Sequence, residues 1–259
     1  MRIADRTFII SGGSSGLGLA AVEALHESGA YIAVFDLRKP VNDFQGLPRV
    51  AFFKADVTQT MEIQEAVDKT IEWTKATQAR LGGVIACAGT MRAGKIVSRN
   101  GTPYPLDTWN KIMDVNLTGT FNLVRLALQH LINVDPEGAD DERGVIIMTS
   151  SSEAFEGHEG QLVYAASKGA IRSMTLPMAR DLGRYGIRVA TIAPSPFDTP
   201  MASFGSPRVM RTIEDHFIFP RRIGKPKEFA DTIKWIIECP YANGDTFRLS
   251  GGNRIPGKL

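Results

Sequence analysis

The stretch from Thr7 to Gly29 constrains the fold more than any other part of the chain. Thr7, Phe8, Ile9 and Ile10 read as a short buried strand. Ser11-Gly12-Gly13-Ser14-Ser15-Gly16-Leu17-Gly18 follows as a glycine-rich turn, and Leu19 to Ser28 carries apolar residues at helical spacing (Leu19, Val22, Leu25) before ending at Gly29. A strand, a glycine turn and a helix N-terminus in that order make an anion site. Backbone N–H groups and the helix dipole both face the place a phosphate would occupy. The spacing is GxxxGxG, a variant of the GxGxxG fingerprint, in the context that motif requires. Gly12, Ser15, Gly16, Leu17 and Gly18 are the expected cradle, and a plain flexible glycine loop is the alternative.

A second strand, Tyr31 to Phe35, ends at Asp36. An acid about 20 residues past such a turn is placed to meet a ribose 2′-hydroxyl. A carboxylate there accepts hydrogen bonds from a free diol and repels a 2′-phosphate, which points to NAD(H) rather than NADP(H). Arg38 argues the other way, because a guanidinium could pair with that phosphate.

The same alternation continues along the chain. Strands are expected near 7–11, 30–36, 50–54, 82–87, 143–150, 186–192 and 245–249, and helices near 16–28, 60–79, 107–134 with a break, 161–183 and 226–239. Such alternation implies an α/β fold: a single Rossmann-type, doubly wound parallel sheet of about seven strands flanked by helices. No linker divides the 259 residues, so one domain over 1–259 is expected. Ligands in such sheets bind beyond the carboxyl ends of the strands. That edge would carry the glycine turn, Asp36, Asp56, Cys87-Ala88-Gly89, Ser150-Ser151 and Pro194-Ser195.

Tyr164 and Lys168 lie four residues apart, on one face if the segment is helical. A phenol titrates near 10, and a neighbouring cation favours the phenolate. A Tyr–Lys pair with a lowered phenol pKa is therefore a candidate proton carrier. The spacing alone is common by chance; the glycine turn and the serine-rich strand end upstream give it weight.

With these features in place, the chain resembles the short-chain dehydrogenase/reductase family over essentially its whole length. Within that family it is most similar to the type-2 3-hydroxyacyl-CoA dehydrogenases, also called type-ten 17β-hydroxysteroid dehydrogenases. The closer match is carried by residues 114–122, 143–147, 154–157, 174–182, 187–194 and 243–249, and by a long segment from Thr90 to Thr108 that suits this subfamily's extra loop. The resemblance implies a catalytic set of Ser151, Tyr164, Lys168 and Asn116. Ser151, thirteen residues before Tyr164, would hold the substrate oxygen, although Ser150 and Ser152 are close competitors. Tyr164 would move the proton. Lys168 would hold the nicotinamide ribose and depress the tyrosine pKa, and Asn116 would anchor a water linking Lys168 to solvent. Asn116 could equally be a buried structural amide.

Further cofactor contacts implied are Asp56, Val57, Cys87, Ala88, Gly89, Pro194, Phe197 and Thr199, with Gln161 near the substrate carbonyl. Two departures from the family pattern stand out. Ala86 replaces an asparagine that ties the central strand to its neighbour, so a looser sheet is expected there. Ser195 replaces a glycine close to the nicotinamide.

The implied reaction is NAD-dependent interconversion of a secondary alcohol and a ketone, on a 3-hydroxyacyl-CoA first. A steroid, terpenoid or other bulky alcohol is the alternative, and a non-enzymatic scaffold is a third. The segment around 195–225 is too long for an ordinary connection and reads as a lid, with Met201, Phe204, Met210, Phe217 and Phe219 as candidate lining or plain packing. An acid at Glu153 could repel a charged ligand or select a polar one, but a solvated loop is the expectation for both Glu153 and His158. Arg92, Lys95 and Arg99 could meet coenzyme A phosphates or lie on a solvated basic loop.

A formal net charge of +2 does not suggest nucleic acid as a ligand. No apolar run is long enough to span a bilayer. Two cysteines cannot build a disulfide framework and fit a reducing compartment. Fold-forming sequence by Thr7 leaves no expected signal peptide, and Gly257-Lys258-Leu259 only partly resembles a peroxisomal address. The cytoplasm is expected, with peroxisome or mitochondrion as alternatives. Leu123, Leu126, Leu128, Leu131, Met174, Leu176 and Met178 exceed what one sheet-facing stripe needs. A homo-oligomer, most simply a tetramer as in related enzymes, is therefore expected.

Overall fold

A computed structural model describes residues 1–40, 44, 47–201 and 216–254. Seven parallel strands form one sheet: β1 (Arg6–Ser11), β2 (Tyr31–Asp36), β3 (Val50–Lys54), β4 (Arg80–Ala86), β5 (Gly144–Thr149), β6 (Ile187–Pro194) and β7 (Thr246–Leu249). Their order across the sheet is β3-β2-β1-β4-β5-β6-β7. The order turns back between β1 and β4, which opens a crevice at their carboxyl ends. Every residue of β1 and β6 is buried, as expected of parallel strands covered on both faces.

Two helical layers supply the cover. On one face α1 (Gly16–Glu27) and α6 (Pro226–Glu238) set Val22, Leu25, Phe229, Ile233 and Ile237 against Phe8, Ile10 and Ile32. On the other, α2 (Thr60–Thr77), α4 (Gly119–Leu131) and α5 (Leu162–Gly183) set Ile63, Val67, Leu123, Leu131 and Ile171 against Ile9, Ala33, Val84 and Ile146. At the amino end of β6, buried Arg188 bonds Glu142 and the carbonyls of Ile236, Ile237 and Ala242, which ties the strand to the end of α6.

The structure revises three expectations. The helix anticipated over 107–134 is not broken. After α3 (Leu106–Met113) it passes through one π turn, Asp114–Thr118, directly into α4. π turns inside helices are frequent at functional sites, and this one carries Asn116. The sheet is also not loosened at Ala86, which pairs in register with both Ser11 and Met148. Ser11 provides the tie: its carbonyl accepts from the Cys87 N–H at 3.1 Å and its hydroxyl from the Ala88 N–H at 3.2 Å. Thirdly, Leu123, Leu126 and Leu131 are buried within the chain, which narrows the outward apolar surface of α4 and α5 to residues such as Phe121, Leu162 and Leu176.

Of the lid candidates, Phe217 is buried and lines a cavity with Phe197, Pro220 and Leu249, whereas Phe219 is exposed. Met201 is partly exposed. Phe204, Met210 and the Gly257-Lys258-Leu259 end lie outside the described residues.

Candidate active site

The glycine turn sits at the crevice between β1 and β4. Gly12 has φ +67°, and a Cβ there would lie 2.8 Å from the Ala88 backbone; a Cβ on Gly18 would lie 2.2 Å from the Gly12 carbonyl oxygen. Only hydrogen fits at either position, so the backbone itself forms the floor of the cradle. Asp36 braces it. One carboxylate oxygen accepts from the Ser14 N–H at 3.1 Å and the other from the Arg38 N–H at 3.3 Å. The Ser14 hydroxyl is buried with no hydrogen-bond partner among the described residues. A bare backbone cradle, an unpartnered donor and a fixed carboxylate fit a dinucleotide.

Around this cradle, Ser15 is exposed while Gly16 and Leu17 are partly buried at the start of α1. Thr199 stands over Gly16, with its Cβ 3.4 Å from where a Cβ on that glycine would be. The Asp56 carboxylate accepts from the Thr58 N–H and hydroxyl, both at 2.8 Å. Val57 closes on Gly119 at the head of α4. Ser195, after Pro194, is buried and accepts from Asn253 at 3.4 Å. The Phe197 ring is buried edge-to-face on Phe229.

The three adjacent serines separate by their partners. Ser150 donates to the Lys168 carbonyl at 2.8 Å, and Ser152 is buried at the start of a single 3₁₀ turn, Ser152–Ala154. Ser151 accepts from the Glu153 N–H at 3.2 Å, and its hydroxyl is one of the groups that act on the Tyr164 phenol. Helix α5 brings Lys168 one turn below Tyr164, with the ammonium 5.7 Å from the ring centroid. Lys168 donates to the Thr149 carbonyl at 2.8 Å. Gly89 lies beside both Lys168 and Asn116; a Cβ there would meet Lys168 Nζ at 3.5 Å and Asn116 Oδ1 at 3.4 Å.

Burial dominates the electrostatics of the site. Tyr164 keeps some exposure as a residue, yet its phenol is pushed up to about 12, chiefly by burial. The Ser151 hydrogen bond opposes that rise and the Glu153 charge adds to it. Burial also draws the Lys168 ammonium down to about 8, and that ammonium donates to the Thr149 carbonyl. Burial likewise lifts the Cys87 thiol to about 11, against the Thr149 hydroxyl that approaches its sulfur at 3.5 Å.

Glu153 and His158 form no solvated loop. Glu153 is buried, its carboxylate accepts from the His158 N–H at 3.2 Å, and it lies 2.6 Å from His158 Nδ1. Gln161, which precedes α5, is buried with its Oε1 unpartnered among the described residues. The extra loop docks here through Gly94 N–H to the Gly160 carbonyl at 2.8 Å, and Lys95 pairs with Glu159 at 2.6 Å. Arg92 and Arg99 are exposed.

One group escaped the sequence reading. Phe155 lies between the guanidinium groups of Arg172 (4.2 Å) and Arg248 (5.2 Å), and Arg248 also forms a two-pronged ion pair with Glu156. No local spacing signals it, since the partners come from α5 and β7.

A dinucleotide cradle beside a serine–tyrosine–lysine cluster on a doubly wound sheet is the arrangement of a nicotinamide-dependent oxidoreductase. Residues 6–208 match the short chain dehydrogenase family, and the chain belongs to it. It is 39% identical to human 3-hydroxyacyl-CoA dehydrogenase type-2 over 251 residues, covering 95% of this chain and 94% of that one. It is 32% identical to ipsdienol dehydrogenase of Ips pini, covering 98% and 99%. The crystal structure of 3-hydroxyacyl-CoA dehydrogenase type-2 from Mycobacterium avium superposes with a TM-score of 0.88 at 32% identity, covering 98% of this chain and 97% of that one.

Proposed function

We propose that the protein interconverts a secondary alcohol and a ketone with NAD, and that its substrate is a 3-hydroxyacyl-CoA. The observation that carries this reading is the placing of Tyr164 and Lys168 on one face of α5, with the ammonium 5.7 Å from the ring centroid, beside Ser151 at the end of β5. Gly12, Ser15, Gly16, Leu17, Gly18, Asp56, Val57, Cys87, Ala88, Gly89, Pro194, Phe197 and Thr199 would hold the dinucleotide, with Asp36 on the ribose diol. When bound, the nicotinamide supplies the hydride acceptor or donor.

The chain's own residues handle the oxygen and its proton. Ser151 holds the substrate oxygen against Tyr164, which fixes the carbinol in a reactive orientation. In ketone reduction the protonated phenol, the form favoured by its pKa of about 12, donates to the developing alkoxide. In oxidation Tyr164 takes that proton, so its phenolate has to be stabilised in the loaded enzyme. Lys168, with Asn116 behind Gly89, is the nearest charge able to contribute. Gln161 is the expected contact to the substrate carbonyl.

The two relatives of this type and the exposed Arg92 and Arg99 favour the CoA thioester. The buried Glu153–His158 pair and the relative named for ipsdienol favour a bulky uncharged alcohol as the second reading. A homotetramer in a reducing compartment such as the cytoplasm completes the proposal. The test is purified protein with NAD⁺ against 3-hydroxyacyl-CoA, steroid and terpenoid alcohols, followed by NADH absorbance, with Tyr164→Phe as control. Turnover should be highest on the thioester and fall by about 10² to 10⁴ in the variant, with NADH binding little changed. Near-wild-type turnover in Tyr164→Phe would overturn the mechanism.

A further inference from the structure

Glu153 is a buried acid that neither the proton transfer nor the cofactor site uses. Its backbone N–H donates to Ser151 Oγ at 3.2 Å, so its position is fixed one hydrogen bond from the group that meets the substrate oxygen. Its carboxylate is held by His158, through the backbone N–H at 3.2 Å and Nδ1 at 2.6 Å. The Glu153 side chain is 7% exposed and that of His158 14%. Ala165, the residue after Tyr164, and Gly157 close around it: a Cβ on Gly157 would lie 3.2 Å from the Ala165 Cβ and 3.9 Å from Glu153 Oε2. Burying a carboxylate is costly unless it is hydrogen-bonded, and this one is. Gln161 adds a second buried acceptor, Oε1, without a partner among the described residues.

A charge so placed acts on whatever is bound between Ser151 and Tyr164. In a buried site the interaction of two charges several ångströms apart is far stronger than in water. Tyr164 already registers it, since the Glu153 charge is one of the causes that disfavour its phenolate. A substrate carboxylate within two carbons of the reacting carbon would meet the same repulsion. An ester, thioester, ketone or hydrocarbon neighbour would not, and a hydrogen-bond donor would find Gln161 Oε1 open.

We propose that Glu153, held by His158, is a charge filter that admits alcohols and ketones uncharged within two carbons of the reacting carbon and rejects the corresponding hydroxy- and keto-acid anions. The inference rests on the reading that Ser151 and Tyr164 hold the reacting oxygen. It deepens that reading by excluding a substrate class: free acids fail where their neutral thioesters or esters pass. His158 is a positioning residue here, because it acts only through Glu153.

Binding tests the filter without depending on turnover. The protein saturated with NADH is titrated with acetoacetate and with its methyl ester, a pair differing in one charge, and binding is read by calorimetry. The wild type should favour the ester by on the order of tenfold or more. Glu153→Gln, which keeps the shape and removes the charge, should bring that ratio near one by gaining affinity for the anion. His158→Gln keeps the carboxylate and should still reject the anion, so a ratio that collapses equally in both variants marks a merely structural role and overturns the filter. Equal binding by the wild type, or no binding of either ligand, also overturns it. Should the ratio behave as expected while no 3-hydroxyacyl thioester is oxidised, the substrate proposal fails and the filter stands.

Discussion

Asn116 and Thr90 exchange two hydrogen bonds, from the Thr90 N–H to Asn116 Oδ1 at 2.7 Å and from Asn116 Nδ2 to the Thr90 carbonyl at 2.9 Å. The amide thus stands in for a missing strand partner just past the end of β4, and Nδ2 also reaches Ser167 Oγ at 3.0 Å. The π turn makes this reach possible by setting Asn116 into the chain interior, where it is fully buried. Asn116→Ala would leave the Thr90 N–H and carbonyl unpaired, at about 1–3 kcal/mol for each buried group. We expect a loss of about 2–4 kcal/mol in urea unfolding. A loss below about 0.5 kcal/mol, the level of an ordinary surface change, would remove the structural role.

Lys168 gives a pH-dependent stability with a definite sign. Its folded pKa is lowered from 10.5 to about 8, so the folded state resists protonation more than the unfolded chain does. Below pH 8 that buried charge is a standing cost. As pH rises from 8 to 10.5 the folded state sheds its proton first and stability is regained, by up to about 3 kcal/mol. Lys168→Met removes the titration. The unfolding free energy of the wild type relative to Lys168→Met should therefore rise between pH 7 and pH 10. Cys87, raised from 9 to about 11, and Tyr164, raised from 10 to about 12, subtract stability above pH 9 and pH 10, but both are shared by wild type and variant and cancel in the difference. A difference that stays flat with pH would show that the charge is not buried as described.

Most of the fold, the glycine turn included, is legible because its signals are local. The turn at Gly12 to Gly18, the acid at Asp36 and the strand-helix periods each need only a few consecutive residues, and all seven strands were anticipated to within two residues at either end. What escaped depends on distant parts. Glu153 and His158 read as a solvated loop because their burial comes from α5 and the segment around Gly157 closing on them. Phe155 and Glu156 meet Arg172 and Arg248, which are 17 and 92 positions away. The desolvation of Tyr164 is hidden for a related reason: spacing places a cation nearby but says nothing of what that cation bonds or how dry the site is.

Cofactor choice should follow the charge of Asp36. Because its carboxylate also holds the Ser14 and Arg38 amides, Asp36→Asn is the cleaner variant: it keeps an acceptor for the turn and removes only the charge. The ratio of kcat/KM with NAD to that with NADP should fall by at least tenfold, since repulsion of like charges in contact costs several kcal/mol. If the wild type already prefers NADP, Arg38 governs the choice and the proposal of NAD is wrong.

Assembly rests on a smaller apolar surface than the sequence suggested. With Leu123, Leu126 and Leu131 inside the chain, the exposed apolar residues on α4 and α5 are Phe121, Leu162 and Leu176, at 47%, 49% and 44% exposure. A tetramer paired through these helices would cover them. Light scattering at micromolar concentration should give four times the chain mass. A monomer mass would refute the tetramer and leave the catalytic reading untouched.

The ion pair of Arg248 and Glu156 should matter to substrate more than to cofactor. It joins β7 to the segment 151–158 that carries Ser151 and Glu153, with Phe155 stacked between Arg248 and Arg172. Both partners are mostly shielded, at 15% and 28% exposure, so the pair escapes much of the screening that weakens surface ion pairs. Arg248→Lys keeps the charge but loses the two-pronged geometry and the stacking. A double-mutant cycle of Arg248→Lys with Glu156→Gln should give a coupling energy of about 1–2 kcal/mol in unfolding. In kinetics the alcohol KM should rise several-fold while the NAD KM stays near wild type, because the glycine cradle and Asp36 lie across the sheet from this pair. Equal changes in both KM values, or coupling below about 0.3 kcal/mol, would mean that Arg248 only supports the fold in general and does not position the loop beside Ser151.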